Sequence, residues 1–157
     1  MDPGNKLHLL REKLSLLRER QKRDCEKSLA LFARSAWKII EPGVEMRWNW
    51  HHDTMCGYLE AVANGDINRL IINVPPGTTK SLLVSVFYPA WVWAKFPHTR
   101  FLSVSNEQSL SVRDALKMKW VVQSEWYQSC WPTELRVDQN EKTLFLNDSL
   151  GHRQSQG

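Results

Sequence analysis

Lys80 and Ser81 stand side by side after the tight run Pro75-Pro76-Gly77-Thr78-Thr79 and open a long apolar stretch, SLLVSVFYPAWVWAKF. Before them comes Leu70-Ile71-Ile72-Asn73-Val74, short, apolar and β-branched, which predicts a buried strand. A strand, a tight loop and then Lys-Ser at a helix start together provide what binding a nucleoside triphosphate requires. Backbone N–H groups of the loop and of the helix N-terminus face phosphate oxygens, aided by the helix dipole. The Lys80 ammonium is a mobile point charge for the β- and γ-phosphates and the candidate catalytic group, and the Ser81 hydroxyl is a candidate Mg²⁺ ligand. Pro76, Gly77, Thr78, Thr79, Lys80 and Ser81 are therefore the candidate nucleotide-binding residues.

The match to G-x-x-x-x-G-K-[ST] is imperfect, because Val74 and Thr79 occupy the two glycine positions. A β-branched residue resists positive φ, so the loop is expected to follow a locally different path from the glycine version.

Other chemistry-bearing groups are sparser. His51 and His52 are adjacent and are read as structural or solvent groups rather than metal ligands. Trp48, Trp50 and His51 precede the loop, where an adenine-stacking element would lie. The three cysteines, Cys25, Cys56 and Cys130, lack metal-ligand spacing and read as free thiols. Most of the eight tryptophans are expected to pack rather than to stack on nucleic acid.

The elements that must position the loop follow from punctuation and period. Leu7, Leu10, Leu14, Leu17 and Leu31 fit a heptad seam broken by Gln21, Asp24 and Ser28. Too few heptads are sustained for a coiled coil, so an amphipathic helix lying on its own domain is expected, ending at Glu41-Pro42-Gly43. A second helix is predicted over 51–63, closed by Asn64-Gly65-Asp66, and Pro89 predicts a kink or early end in the helix after Ser81. Arg100–Ser105 reads as a strand, Glu107–Tyr127 as helix and Leu144-Phe145-Leu146 as a third strand. That alternation predicts an α/β fold, a parallel sheet with helical crossovers.

Composition is ordinary for a globular chain of 157 residues, with 42% hydrophobic and 24% charged residues, which excludes wholesale disorder. No apolar run approaches the roughly 18 residues that cross a bilayer. The opening MDPGNKLHLLREKL carries charges where a signal peptide places its apolar core, so a soluble, intracellular protein is expected. Of the net +4, residues through Lys38 carry +5, which fits either a phosphate-facing basic helix or a solvated one. Two units are expected: a basic amphipathic helical segment over 1–40 and a partial nucleotide-binding domain over 41–157.

The stretch Leu70–Ser81 resembles the P-P-[RG]-x-x-K-S phosphate loop of large terminase subunits of tailed phages and prophages. Several ordered blocks agree: Trp50-His51-His52, Leu59-Glu60-Ala61-Val62, Tyr88-Pro89-Ala90-Trp91, Lys95-Phe96-Pro97, Arg100–Ser105, Ser124–Gln128 and Phe145-Leu146-Asn147. The resemblance implies a RecA-like P-loop ATPase core using ATP and Mg²⁺ to drive double-stranded DNA into a procapsid, in the host cytoplasm. It further implies a portal protein and a small terminase subunit as partners, and a homo-oligomer on the portal. Many relatives place a basic residue where Gly77 stands, so that charge is absent here or supplied elsewhere.

Hydrolysis also requires an apolar strand ending in an acidic residue for Mg²⁺, beside a carboxylate that activates water. Asp148 follows Leu144–Asn147, but in the family that strand precedes the acidic one, and Ser149 follows Asp148 where a second carboxylate is needed. Asp148 is therefore read as a turn residue. The chain is expected to stop before the acidic Walker B strand and the nuclease domain, as a truncated frame would, and to hydrolyse little ATP by itself. An unfinished sheet would then expose a strand edge. Two alternatives stay open: a non-catalytic remnant of a degenerate prophage, and another nucleic-acid-dependent P-loop ATPase of helicase type.

Overall fold

The computed structural model describes residues 3–157. Helix α1 (Pro3–Lys27) is followed by α2 (Leu29–Ile40) and α3 (Trp50–Asn64). A continuous helical segment then runs through α4 (Lys80–Leu82), a π turn (Leu83–Phe87) and α5 (Tyr88–Lys95). Strand β1 (Arg100–Val104) leads into α6 (Gln108–Gln123) and α7 (Glu125–Cys130). Three strands close the chain: β2 (Leu135–Asn140), β3 (Leu144–Asn147) and β4 (His152–Gln156).

Local chemistry sets most of these boundaries. Ser28 breaks the first helical run with extended backbone, and its hydroxyl accepts from Leu31 N to cap α2. Glu60 on α3 adds a carboxylate at the same end, accepting from Leu29 N at 2.6 Å. α2 ends at Ile40 with Glu41 as its C-cap, at the expected stop Glu41-Pro42-Gly43. Asn49 and His52 form a reciprocal capping box on α3, and Gly65 ends that helix at φ 84°. Ser124 divides the long helical stretch into α6 and α7 by taking extended backbone and capping Tyr127 N.

The core lies between α2, the 80–95 helix, α6, α7 and one face of the sheet. Phe32, Trp126, Tyr127 and Trp131 form an aromatic cluster, with Phe32 and Trp126 centroids 5.3 Å apart and Tyr127 and Trp131 also 5.3 Å apart. Each fully buried side chain of this size stabilises the fold by about 1.5–3 kcal/mol. Two of its polar tips are satisfied, since Tyr127 donates to Ala90 O and Trp131 Nε1 donates to Glu26 Oε1 on α1, while the buried Trp126 Nε1 has no partner among the described residues. Trp91 and Trp93 are buried as well, whereas Trp50 and Trp120 are exposed.

The sheet corrects the expected RecA-like parallel core. Its order is β1-β4-β3-β2, and only β1 and β4 run parallel; β4 with β3 and β3 with β2 are antiparallel. Leu144–Asn147 is a strand, but as the middle of an antiparallel meander rather than a crossover product. Leu70–Val74 is not a strand. It runs as irregular chain with Leu70, Ile72 and Val74 packed on the core and Ile71 93% exposed. An apolar run becomes a buried strand only where neighbours supply hydrogen bonds on both edges, and among the described residues none pairs with this segment. β1 is an edge strand of this mixed sheet, and its Leu102 and Val104 are exposed on one face.

α1 also departs from expectation. Every side chain from Asn5 to Gln21 is exposed, so this helix lies on its domain only through its C-terminal end. There Cys25 is buried and its carbonyl accepts from Trp91 Nε1 at 2.7 Å.

Candidate functional site

The helix carrying Lys80 and Ser81 begins after two departures from ordinary backbone, on either side of Thr78. Gly77 has φ 80° and Thr79 has φ 63°. Glycine takes that region without steric penalty, but a β-branched residue there is strained by about 1–3 kcal/mol. Thr79 is left-handed nonetheless, the conformation that its β-branched side chain resists. The Thr78 hydroxyl donates to Pro75 O at 2.8 Å and ties the loop across its base. Space around Gly77 is open, with nothing within 4 Å of the position a Cβ would take.

Pro75, Pro76, Gly77, Thr78, Thr79, Lys80, Ser81 and Leu82 line a concavity of about 240 Å³. The structure therefore brings together all six residues read as nucleotide-binding. Lys80 and Ser81 also line a second cleft of about 440 Å³, walled by Leu59 and Val62 of α3 and by Leu70 and Ile72. Among the described residues Lys80 makes no ion pair. The concavity is lined by one cationic residue, Lys80, and three hydroxyl residues, Thr78, Thr79 and Ser81, a donor set suited to an anion.

The helix behind the loop owes its course to Pro89. An α-helical residue 89 would donate to Ser85 O, which proline cannot do. The helix widens into the π turn Leu83–Phe87, with Tyr88 N bonded to Leu83 O, and Arg153 Nη1 donates to Ser85 O instead. Arg153 is fully buried, and its Nε and Nη2 have no partner. Desolvation pushes its pKa down to about 10, against the opposing pull of Asp114. Its role went unread because the polar run His152–Gln156 carries no apolar pattern to mark an inward face.

The remaining candidates lie elsewhere. Trp48, Trp50 and His51 line neither cavity of the loop. Trp48 lies under the Arg34 guanidinium at 4.3 Å and donates to Asp53, while Trp50 is exposed. His52 Nδ1 accepts from Asn49 N as part of the helix cap, and burial lowers its pKa, helped by the adjacent His51. Asp148 occupies the turn after β3, where its N–H donates to Glu134 O. Among the described residues no three His, Cys, Asp or Glu side chains gather as a metal site. Cys25, Cys56 and Cys130 are free and buried.

No helix among the described residues is long and apolar enough to cross a membrane. No protein-family model, curated protein or solved structure matches the chain.

Proposed function

We propose that the loop Pro76–Ser81 binds the phosphates of ATP, with Lys80 on the β- and γ-phosphates and Ser81 on Mg²⁺. The observation that carries this reading is Thr79 at φ 63° directly before Lys80. A β-branched residue held in that conformation is strained, and such strain collects where backbone must be aimed at a ligand. The open concavity and the 80–95 helix behind it supply the anion-binding end. The apolar wall of Leu59, Val62, Leu70 and Ile72 beside Lys80 gives a base or ribose a surface to pack against.

Within this reading the chain carries the phosphate loop of a DNA-packaging ATPase of the large terminase kind, with double-stranded DNA, a portal protein and a small terminase subunit as partners. The ordered sequence blocks around the loop support it. Hydrolysis is not assigned to these residues, because Asp148 sits in a turn without a second carboxylate beside it in sequence. The chain binds nucleotide and turns it over slowly or not at all.

The test is equilibrium titration of the chain with a fluorescent ATP analogue and Mg²⁺. Lys80→Ala is expected to weaken binding about tenfold or more, the loss of a charge-assisted contact, while leaving the urea midpoint unchanged. Equal affinity in the two proteins would remove the phosphate-loop assignment.

A further inference from the structure

We propose that the exposed seam of α1 is a docking site for an acidic amphipathic helix of a partner protein, an inference independent of nucleotide binding. Leu7, Leu10, Leu14 and Leu17 follow the 3-4-3 spacing of heptad a and d positions, and each is between 50 and 54% exposed. From Asn5 to Gln21 the helix extends about 25 Å with no side chain buried on its own domain. A free helix of that length is marginal in water, and a leucine seam along it gains stability only when covered.

Charge identifies the cover. With Leu7 at a, the g positions are Lys6, Lys13 and Arg20, and the e positions are Arg11 and Arg18. Glu12 and Glu19 fall at f, away from the seam. Both rims of the leucine stripe are therefore wholly basic. In a parallel pair of copies Lys6 would face Arg11 and Lys13 would face Arg18, and in an antiparallel pair each rim would face itself. Every arrangement of two copies sets like charges together, so the seam disfavours its own kind. A helix with leucine-like residues at a and d and carboxylates at e and g meets both the apolar stripe and its rims.

The same character continues onto the body of the protein. A groove of about 600 Å³ between α1 and α2 is lined by Leu17 and Leu31 together with Arg20, Arg34 and Lys38. Its one carboxylate, Asp24, already pairs with Arg20 at 3.8 Å. Duplex DNA would satisfy the cations but leave the leucines uncovered, which is why a helix is the better occupant.

The experiment titrates the whole chain into a labelled synthetic peptide of about four heptads, with Leu at a and d and Glu at e and g. A second peptide carries Lys at e and g. The Glu peptide is expected to bind about tenfold tighter or more, and to weaken as salt rises. Leu10→Ser with Leu14→Ser should abolish binding with an unchanged urea midpoint, because both side chains are exposed. Lys13→Glu with Arg18→Glu should narrow or reverse the preference between peptides. Equal affinity for both peptides, or no binding of the Glu peptide, overturns the proposal. So does self-association of the chain through this seam in sedimentation. Binding of phosphatidylserine vesicles or duplex DNA without binding of the Glu peptide overturns it as well, and assigns the helix to that surface.

Discussion

Replacing Arg153 by Met removes a fully buried guanidinium while keeping much of its length, and the structure sets two opposing effects. Desolvation holds the Arg153 pKa near 10 against an ordinary 12.5, a penalty on the charged form of about 3 kcal/mol. Met relieves that penalty. It also leaves Ser85 O without its Arg153 donor, and Pro89 cannot replace it, at a cost of about 1–3 kcal/mol. The single substitution should therefore shift stability by no more than about 2 kcal/mol, towards neutral or stabilised. Pro89→Ala supplies the missing N–H to Ser85 O, so it should help the Arg153→Met chain more than it helps the wild type. The expected coupling is about 1–2 kcal/mol in a double-mutant cycle measured by urea unfolding at pH 7. Additivity within about 0.5 kcal/mol would refute the claim that Arg153 replaces the hydrogen bond that proline denies.

Two further outcomes follow from strain and burial. Thr79→Gly relieves about 1–3 kcal/mol of backbone strain against an entropic loss of about 0.5–1 kcal/mol. It should raise the urea midpoint and retain ATP-analogue affinity; a lowered midpoint would contradict the left-handed assignment. Burial pushes the Cys56 thiol up to about 12 and the Cys25 thiol to about 11, from an ordinary 9.0. A raised thiol pKa means less thiolate at neutral pH, so at pH 8 Cys56 should be labelled by a thiol reagent about a thousandfold more slowly than in urea. Labelling of Cys56 at the unfolded rate would show that the packing around α3 is wrong.

Helices were legible in the sequence because their ends carry strong local chemistry. Glu41-Pro42-Gly43 and Asn64-Gly65 stop α2 and α3 whatever surrounds them. Ser28 and Ser124, both N-caps inside apparently continuous helical runs, show how one hydroxyl divides what periodicity reads as a single element. Strands were less legible because they depend on partners distant in sequence. Leu70–Val74 has the composition of a buried strand and none of the pairing. β4 has the pairing and a polar composition, with Arg153 and Ser155 as its buried positions. The turn beside it is held by Asn147, whose buried amide donates to Pro97 O and accepts from Gly151 N, a network that no periodicity announces. A Cβ on Gly151 would stand 2.0 Å from Pro97 O, so the close approach of the two turns requires glycine there. The loop Pro76–Ser81 was legible as a unit because its residues are contiguous. The conformation of Thr79 was not, since local propensity argues against it.

Backbone amide NMR of the uniformly labelled chain, titrated with ATP and Mg²⁺, tests the central claim most directly. Phosphate oxygens seated in the concavity should move the amide signals of Gly77, Thr78, Thr79, Lys80 and Ser81 first and furthest, saturably, with Asp148 unmoved. Saturable shifts centred elsewhere, or none at millimolar nucleotide, would contradict it.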